Sequence, residues 1–235
     1  MTQSLPLVLV PGLSCTARLY TPQVEALWLH GPVMIADHRR DADIAAVARR
    51  ILDAAPPRFA LGGLSYGGYI AFEMMRQAAD RIVKLALLDT SARPDTSEQT
   101  AARVKQIAAV EAGGYGEIAD FAIARYLGRN HRNDRALTTI VRQMVAETGA
   151  EAFVRGLRAI ISRPDSRPLL ASIRCPTLML VGDGDEATPP DLAKEIAGGI
   201  PGARLVIVPD CGHLSTLENP DAVNAALAEW LGQAA

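Results

Sequence analysis

Residues 59–68 read FALGGLSYGG, and this stretch decides the fold of the chain. An apolar run ends in GLSYG at residues 63–67, a G-x-S-x-G match, and no helix breaker occurs in residues 69–77. The pattern predicts a strand, a sharp turn and a helix, with glycines that leave room for close packing around Ser65. At the start of a helix, free N–H groups favour developing negative charge. We therefore predict that Ser65 is a nucleophile, although a Gly-Ser turn of this kind also occurs without any catalytic role.

Six apolar runs predict strands, and helical patterns separate most of them. The runs are residues 5–10, 33–36, 59–64, 84–88, 177–181 and 205–208. Between the second and third runs, apolar residues from Ile44 to Leu52 follow the spacing of an amphipathic helix. Strands that alternate with helices form a mostly parallel sheet, in which functional side chains collect at the carboxyl ends of the strands. The predicted class is α/β.

Two polar loops supply candidate partners for Ser65. A serine nucleophile needs a base and an acid, which in one enzyme class follow in the order Ser, Asp or Glu, His. Asp183 and Asp185 come after the fifth predicted strand, and His213 comes after the sixth. The carboxyl ends of parallel strands lie on one edge, so we expect His213 to accept the Ser65 proton while an aspartate orients the imidazole. Without these partners, a histidine after a strand would be read as a surface loop residue.

The choice of acid lies between neighbours. Asp183 occupies the tight part of its turn, where a short side chain bonds its own backbone. Asp185 lies further out, towards His213, and is preferred. Asp89 also closes a strand and is the alternative, although local bonding within a turn explains it more simply.

An attacked carbonyl oxygen becomes negative and needs fixed donors. Tyr66, directly after the nucleophile, and Leu13, in the loop after the first strand, are the candidate backbone N–H groups. Ser14 and Cys15 are candidates for substrate contact, although small residues in a turn more often serve packing alone.

Residues 91–174 break the alternation. They contain helical stripes interrupted at glycines, which indicates roughly four helices and no strand. We predict a helical lid inserted after the fourth predicted strand, over a core of residues 1–90 and 175–235. Thr148 and Glu151 match a capping box. Four apolar or aromatic positions fit either the substrate pocket or the interior of the lid: Phe121, Tyr126, Phe153 and Leu157.

Composition excludes several function classes. The 235 residues are 49% hydrophobic with a formal charge of -2, which suits one globular domain, and no basic run interleaves with aromatics as in nucleic-acid binders. Three cysteines without metal-ligand spacing indicate reduced thiols, and neither a metal nor a cofactor is expected. Residues 1–4 lack a leader's basic region, and no apolar segment reaches about 18 residues. We expect a cytoplasmic protein without a membrane span.

Taken together, the motifs resemble the α/β-hydrolase superfamily over almost the whole chain. The resemblance is carried by VPGL at residues 10–13, GLSYG at 63–67, GDGD at 182–185, TPP at 188–190, GH at 212–213 and ENP at 218–220. It implies an α/β-hydrolase fold of about six main strands, and it places the acid at Asp185. Many relatives have His-Gly where this chain has Pro11-Gly12. Relatives that open epoxides or remove halide carry an aspartate in place of Ser65, so the resemblance implies esterase, lactonase or thioesterase activity instead.

Within the superfamily, the chain resembles small carboxylesterases with a four-helix lid, including enol-lactonases and methyl esterases that act on acyl chains attached to a carrier protein. Residues 91–174 hold 13 Lys and Arg against 9 Asp and Glu, a balance of +4 that leaves -6 elsewhere. We therefore hypothesise that lid arginines steer an acidic substrate or a carrier-protein partner, against the alternative of scattered solvated side chains. These arginines are Arg125, Arg129, Arg132, Arg155 and Arg158.

The leading hypothesis is a cofactor-free hydrolase of small carboxylic esters, lactones or thioesters, acting through an acyl-enzyme on Ser65. The same triad would also serve acyl transfer or perhydrolysis. A binding protein on this fold is the alternative from another class, because fold alone does not fix function.

Overall fold

The structure, a computed structural model, describes residues 5–233. The N-terminal residues 1–4, on which the expectation of no leader rests, lie outside this range, as do residues 234–235. Six strands are present in the described part of the chain: β1 (Leu7–Val10), β2 (Val33–Ile35), β3 (Phe59–Leu64), β4 (Ile82–Leu88), β5 (Thr177–Gly182) and β6 (Arg204–Val208). Each coincides with one of the six predicted runs to within two residues at either end.

The strands form a single sheet in the order β2-β1-β3-β4-β5-β6, and all five neighbouring pairs are parallel. After β1 the chain runs outward to β2 and then returns to the other side of β1 as β3. This reversal creates a crevice at the carboxyl ends of β1 and β3, the place where open parallel sheets bind their ligands. Leu13 follows β1 and Ser65 follows β3, so both lie at this crevice.

Helices cover both faces of the sheet. Those outside residues 91–174 are α1 (Thr21–Leu27), α2 (Ile44–Ala54), α3 (Tyr66–Ala78), α9 (Pro190–Gly199), α10 (Ser215–Glu218) and α11 (Pro220–Gly232). Successive strand residues point to opposite faces, so Val8 and Leu61 pack with α2, α3 and α9, whereas Leu9 and Ala60 pack with α1 and α11. Burial on both faces explains why the strands read as continuous apolar runs.

Residues 91–174 are helical, as predicted. They form α4 (Ser97–Glu111), α5 (Ile118–Tyr126), α6 (Arg135–Thr148), α7 (Ala150–Ile161) and the short α8 (Arg167–Leu170), with no strand. The predicted capping box at Thr148 is wrong, because Thr148 is the last residue of α6 and its hydroxyl donates to the carbonyl of Met144. Gly149, at φ 75°, separates α6 from α7 by itself and is the N-cap of α7.

Two proline-containing motifs predict helix starts: Thr188 as an N-cap with Pro189 as the first helical residue, and Asn219 as the cap of the final helix before Pro220. Asn219 caps α11 as expected, because its side chain accepts from the N–H of Ala222 and Pro220 is the first helical residue. Helix α9 starts one residue later than expected, with Pro189 at the N-cap and Pro190 at the first position. Thr188 does not cap α9, since its N–H and hydroxyl both donate to Asp185.

No helix within residues 5–233 is long and apolar enough to cross a bilayer.

Candidate active site

The turn that carries Ser65 has the strained geometry expected between β3 and α3. Ser65 has a positive φ of 56°, and its N–H donates to the carbonyl of Leu88 on the neighbouring strand at 2.9 Å. Glycine is required on both sides. A Cβ on Gly63 would lie 2.3 Å from the Gly67 carbonyl oxygen, and one on Gly67 would lie 2.0 Å from the carbonyl oxygen of Val10. The strained turn at Ser65 and the close packing that Gly63 and Gly67 permit together hold the Ser65 hydroxyl at the carboxyl edge of the sheet.

Ser65, His213 and Asp185 form a continuous hydrogen-bonded chain. The Ser65 Oγ lies 2.8 Å from Nε2 of His213, and Nδ1 of the same ring lies 2.8 Å from Oδ2 of Asp185. An ionised carboxylate only accepts hydrogen bonds, so Nδ1 carries the ring proton and Nε2 is free to accept from the hydroxyl. The structure thus brings together the three side chains that the sequence singled out.

Asp185 is held by four donors. Its Oδ1 accepts from the N–H groups of Ala187 at 2.7 Å and Thr188 at 2.9 Å, while its Oδ2 accepts from the Thr188 hydroxyl at 2.7 Å and from His213. Burial alone would raise the pKa of this carboxyl, but the His213 charge and these hydrogen bonds outweigh burial and lower it to about 2. Asp185 therefore remains ionised near neutral pH.

His213 is 3% exposed and fixed from three directions. The backbone N–H of His213 donates to the backbone carbonyl of Tyr126 at 2.8 Å. The Tyr126 ring packs against the imidazole, with centroids 5.1 Å apart. Burial disfavours the charged imidazole, but the charge and hydrogen bond of Asp185 outweigh it, so the pKa of His213 is raised above the usual 6.5. The environment thus stabilises the imidazolium that proton transfer from Ser65 would create.

The two other aspartates considered as the acid lie elsewhere. Asp183 accepts from the N–H of Cys211 and does not contact the imidazole. Asp89 is fully buried, and its carboxylate accepts from the Gly182 N–H at 2.9 Å and from the Ser215 hydroxyl at 2.5 Å. It joins the two loops that carry Asp185 and His213 without touching either side chain.

A small cavity lies in front of the Ser65 hydroxyl, between the β1 loop and His213. Its volume is about 10 Å³, and its lining includes Leu13, Tyr126 and Leu214. No acceptor within residues 5–233 takes the backbone N–H of either Leu13 or Tyr66. Such a space has roughly the size of one water molecule, and Ser65 itself is partly exposed, so the candidate nucleophile lies at a narrow opening.

The loop that carries Leu13 contacts His38 and helix α7. Buried His38 donates from Nε2 to the carbonyl of Gly12 at 3.0 Å, and a Cβ on Gly156 of α7 would lie 2.6 Å from the Leu13 side chain. The pKa of His38 is lowered to about 4, chiefly because burial disfavours its charged form. The loop of Gly12 and Leu13, beside the candidate nucleophile, is therefore packed between the neutral imidazole of His38 and helix α7.

Of the predicted pocket residues, the structure places only Tyr126 at this cavity. Phe121 is half exposed and faces a neighbouring groove, while Phe153 and Leu157 are buried in the interior of the helical segment. Ser14 is buried with φ 60° and does not line the cavity, whereas its neighbour Cys15 does. Helix periodicity identified the buried faces at Phe153 and Leu157 but not at Phe121, and it does not tell which buried face meets the cavity.

The five arginines of the steering hypothesis all have acidic neighbours. Arg125, Arg129 and Arg132 surround Glu186 at 3.9, 3.0 and 3.4 Å. Arg155 lies 3.5 Å from Glu151, and Arg158 lies 2.8 Å from Glu111. Glu111 and Glu151 belong to residues 91–174 themselves, so of these carboxylates only Glu186, which comes from the core and neighbours three of the arginines, offsets the charge excess of that segment.

Sequence reasoning gave no role to Glu218, which ties the helical segment to the His213 loop. Its side chain is fully buried and accepts from the N–H groups of Gly128, Gly212 and Leu214. Nδ1 of His131 lies 2.8 Å from the same carboxylate. The only sequence signal was the place of Glu218 just before the Asn-Pro that starts α11.

A model of the alpha/beta hydrolase family matches residues 7–226. An esterase from Thermogutta terrifontis with malate bound is 33% identical and superposes with a TM-score of 0.89, over 97% of this chain and 90% of that one. The enol-lactonase from Burkholderia xenovorans is 26% identical, with a TM-score of 0.87 over 98% and 92% of the two chains. A pimeloyl-[acyl-carrier protein] methyl ester esterase from Aromatoleum aromaticum is 27% identical over 225 residues, 91% of this chain and 87% of its own length.

Proposed function

The chain belongs to the alpha/beta hydrolase family, and on this basis we propose that it hydrolyses carboxylic esters, lactones or thioesters through an acyl-enzyme on Ser65. The observation that carries the proposal is the chain of two 2.8 Å hydrogen bonds from Ser65 through His213 to Asp185. The relatives described as an esterase, an enol-lactonase and a methyl ester esterase support hydrolysis of this bond class.

Acylation begins when Nε2 of His213 takes the Ser65 proton as Oγ attacks the carbonyl carbon. The carbonyl oxygen becomes negative, and the free N–H groups of Leu13 and Tyr66 are its donors. Asp185 stabilises the imidazolium formed in this step. His213 then protonates the departing alkoxide or thiolate, which leaves an acyl ester on Ser65.

Deacylation repeats the same proton transfers with water. A water molecule in front of the acyl-enzyme gives a proton to Nε2 of His213 and attacks the acyl carbon. The second tetrahedral oxyanion uses the same two N–H groups. When it collapses, His213 returns the proton to Oγ of Ser65, and the free carboxylic acid leaves. No metal or cofactor has a part in this scheme.

Residues 91–174 act as a lid over a core of residues 1–90 and 175–235. Tyr126, at the end of α5, lines the cavity beside Ser65 and packs on the imidazole of His213. The space beside the Ser65 hydroxyl is narrow, about 10 Å³, so movement of the Tyr126 side chain, or of the helix that carries it, would widen the entry for an ester.

Steady-state hydrolysis of p-nitrophenyl acetate and butyrate tests the proposal, with Ser65→Ala as the matched variant. We expect saturable release of p-nitrophenol and of the free acid by the wild type, and a loss of roughly 10⁴-fold or more in Ser65→Ala. Free acid as the product separates hydrolysis from acyl transfer. Equal rates for the folded variant and the wild type would refute the proposal and leave a binding protein as the alternative.

A further inference from the structure

A second and larger space adjoins the Ser65 cavity. It is an open groove of about 430 Å³ between α4 and α5, and Tyr126 lines both the groove and the cavity. The groove therefore lies one side chain away from the candidate nucleophile. Polar and aromatic residues dominate its wall: Gln99, Arg103, Gln106, Phe121, Arg125 and Tyr126.

The inner wall of the groove carries an excess of positive charge. Two guanidinium groups share the single carboxylate of Asp95: Arg103 donates from Nε at 2.7 Å, and Nη2 of Arg163 lies 2.8 Å from its other oxygen. The side chains of Asp95 and Arg163 are 2% and 7% exposed, whereas that of Arg103 is 24% exposed. Within residues 5–233, Asp95 is the only carboxylate in ion-pair distance of either guanidinium, so two cations share one anion, and Arg103 is the member that reaches the groove.

Arg103 has hydrogen-bonding capacity to spare. Its contacts within residues 5–233 use Nε and Nη2, both on Asp95, and no acceptor is found there for Nη1. Arg125, on the same wall, lies 3.9 Å from Glu186, beyond hydrogen-bond distance. A planar guanidinium with a free edge, held in place by a buried partner, matches the geometry of a carboxylate.

We propose that this groove binds a carboxylate carried by the ester substrate, with Arg103 as its anchor. The inference rests on the proposed function, and it names the substrate class: esters that bear an acidic group away from the bond that is cleaved. The rings of Phe121 and Tyr126 lie edge to face, with centroids 6.2 Å apart, and supply apolar surface for the carbon chain between the carboxylate and the ester. An acidic substrate would therefore bind at one defined site, the groove at Arg103, and not at the five scattered arginines considered from the sequence.

The test compares esters of equal length that differ in one charge. Monomethyl adipate against methyl hexanoate places the carboxylate on the acyl side, and 4-acetoxybutanoate against butyl acetate places it on the alcohol side. We expect one of the charged esters to exceed its neutral partner in kcat/KM by roughly 10-fold or more, which is the range of a charge-assisted bidentate pair. Raising the salt concentration should reduce this preference.

Variants connect the preference to the groove. Arg103→Gln should lower the charged-to-neutral ratio of kcat/KM by roughly 10- to 100-fold, and Arg103→Lys should retain part of it. Arg163 still pairs with Asp95 in both variants, which limits damage to the fold. Arg142→Gln is the matched control, because Arg142 is exposed and pairs with Asp120 on the outer side of the helical segment. An unchanged ratio in Arg103→Gln would overturn the inference.

Rates with the neutral esters separate the groove assignment from the proposed hydrolase function. Hydrolysis of the neutral esters without any preference for charge would overturn the groove assignment alone. If no ester is hydrolysed, calorimetric titration of Ser65→Ala with monomethyl adipate and with methyl hexanoate still decides the question. Monomethyl adipate binding that is lost when Arg103→Gln is added would support the site, and equal binding or no binding of the two esters would overturn it.

Discussion

At the scale of single residues, the difference between Asp185 and Asp89 shows what the sequence can tell. Both close a parallel strand and both are buried, but only Asp185 meets the imidazole. Its place two residues further along the turn than Asp183 is the sequence feature that favours it. The role of Asp89 could not be predicted, because its partners Gly182, at the end of β5, and Ser215, at the start of α10, lie 93 and 126 residues away.

Replacing Asp185 tests its effect on His213, the proposed base. Asp185→Asn should lower kcat/KM by roughly 10³- to 10⁴-fold, because the amide no longer stabilises the imidazolium or fixes its tautomer. His213 must be neutral to accept a proton, so activity falls as the pH drops through its pKa, which in the wild type lies above 6.5. In the variant this acid limb should move to lower pH, because the carboxylate that raised the pKa is gone.

The measurement is the pH profile of kcat/KM for p-nitrophenyl butyrate. Asp183→Asn is the control, because Asp183 bonds the backbone of Cys211 and not the imidazole. An acid limb at the same pH in Asp185→Asn and the wild type would contradict the assigned role.

His38 should make folding stability depend on pH. Its pKa is about 4 in the folded protein against 6.5 when exposed, so between these values the unfolded chain binds more protons. Stability is therefore fully present above pH 6.5 and falls as the pH drops towards 4, by up to about 3 kcal/mol. His38→Gln keeps a donor for the Gly12 carbonyl but does not titrate, so its stability should change less over this window.

Urea unfolding at pH 7, 5.5 and 4.5 measures this effect, with exposed His30→Gln as the matched control. Carboxylates contribute mainly below pH 5 and act alike in all three proteins. An identical pH slope in His38→Gln and the wild type would show that burial of His38 does not have the expected effect.

At the scale of elements, the apolar pattern predicted most of the structure, whereas of the three predicted caps only Asn219 was right. The buried face of α2 consists of the five apolar residues whose spacing suggested a helix, and Asp43 caps it through the N–H of Ala46. The errors at Thr148 and Thr188 have one cause. Each hydroxyl found an acceptor in the folded chain, Met144 or Asp185, in place of a helix N-terminus.

Glycine positions give an element-scale prediction. Gly67→Ala should cost at least about 1–3 kcal/mol of stability, because its Cβ would lie 2.0 Å from the backbone oxygen of Val10 and neither β1 nor α3 can move freely. Gly198→Ala is the matched control. Gly198 is exposed in α9 with no atom near its Cβ position, so alanine there should stabilise by roughly 0.5–1 kcal/mol. Thermal unfolding of both variants measures the contrast, and a stable Gly67→Ala would contradict the packing described for the Ser65 turn.

At the scale of the whole molecule, the sequence predicted the six-stranded parallel sheet and the convergence of three loops on one edge. It could not predict how the helical segment sits on the core. The ionic trio of Asp95, Arg103 and Arg163 combines residues eight and sixty-eight positions from Asp95, without any helical or strand periodicity. The apolar periodicity of a helix or loop does not indicate which other element of the chain its polar side chains will contact.

Glu218 joins the helical segment of residues 91–174 to the core, and this contact can be tested directly. Glu218→Gln replaces one carboxylate oxygen by an NH₂ group, which leaves at least one of the N–H groups of Gly128, Gly212 and Leu214 unsatisfied. We expect the free energy of unfolding in urea to fall by about 1–3 kcal/mol. Glu229→Gln is the control, since Glu229 is exposed and pairs with Arg204 on the surface. Equal losses in the two variants would show that Glu218 does not hold the helical segment to the core.

The central claim is that Ser65 is a nucleophile, and covalent labelling tests it most directly. The protein is incubated with diethyl p-nitrophenyl phosphate, and its intact mass and tryptic peptides are measured. We predict release of p-nitrophenol and a single diethylphosphoryl group on Ser65 in the wild type, with none on Ser65→Ala. A wild-type protein that remains unlabelled, or that carries the group on another residue, would contradict the account.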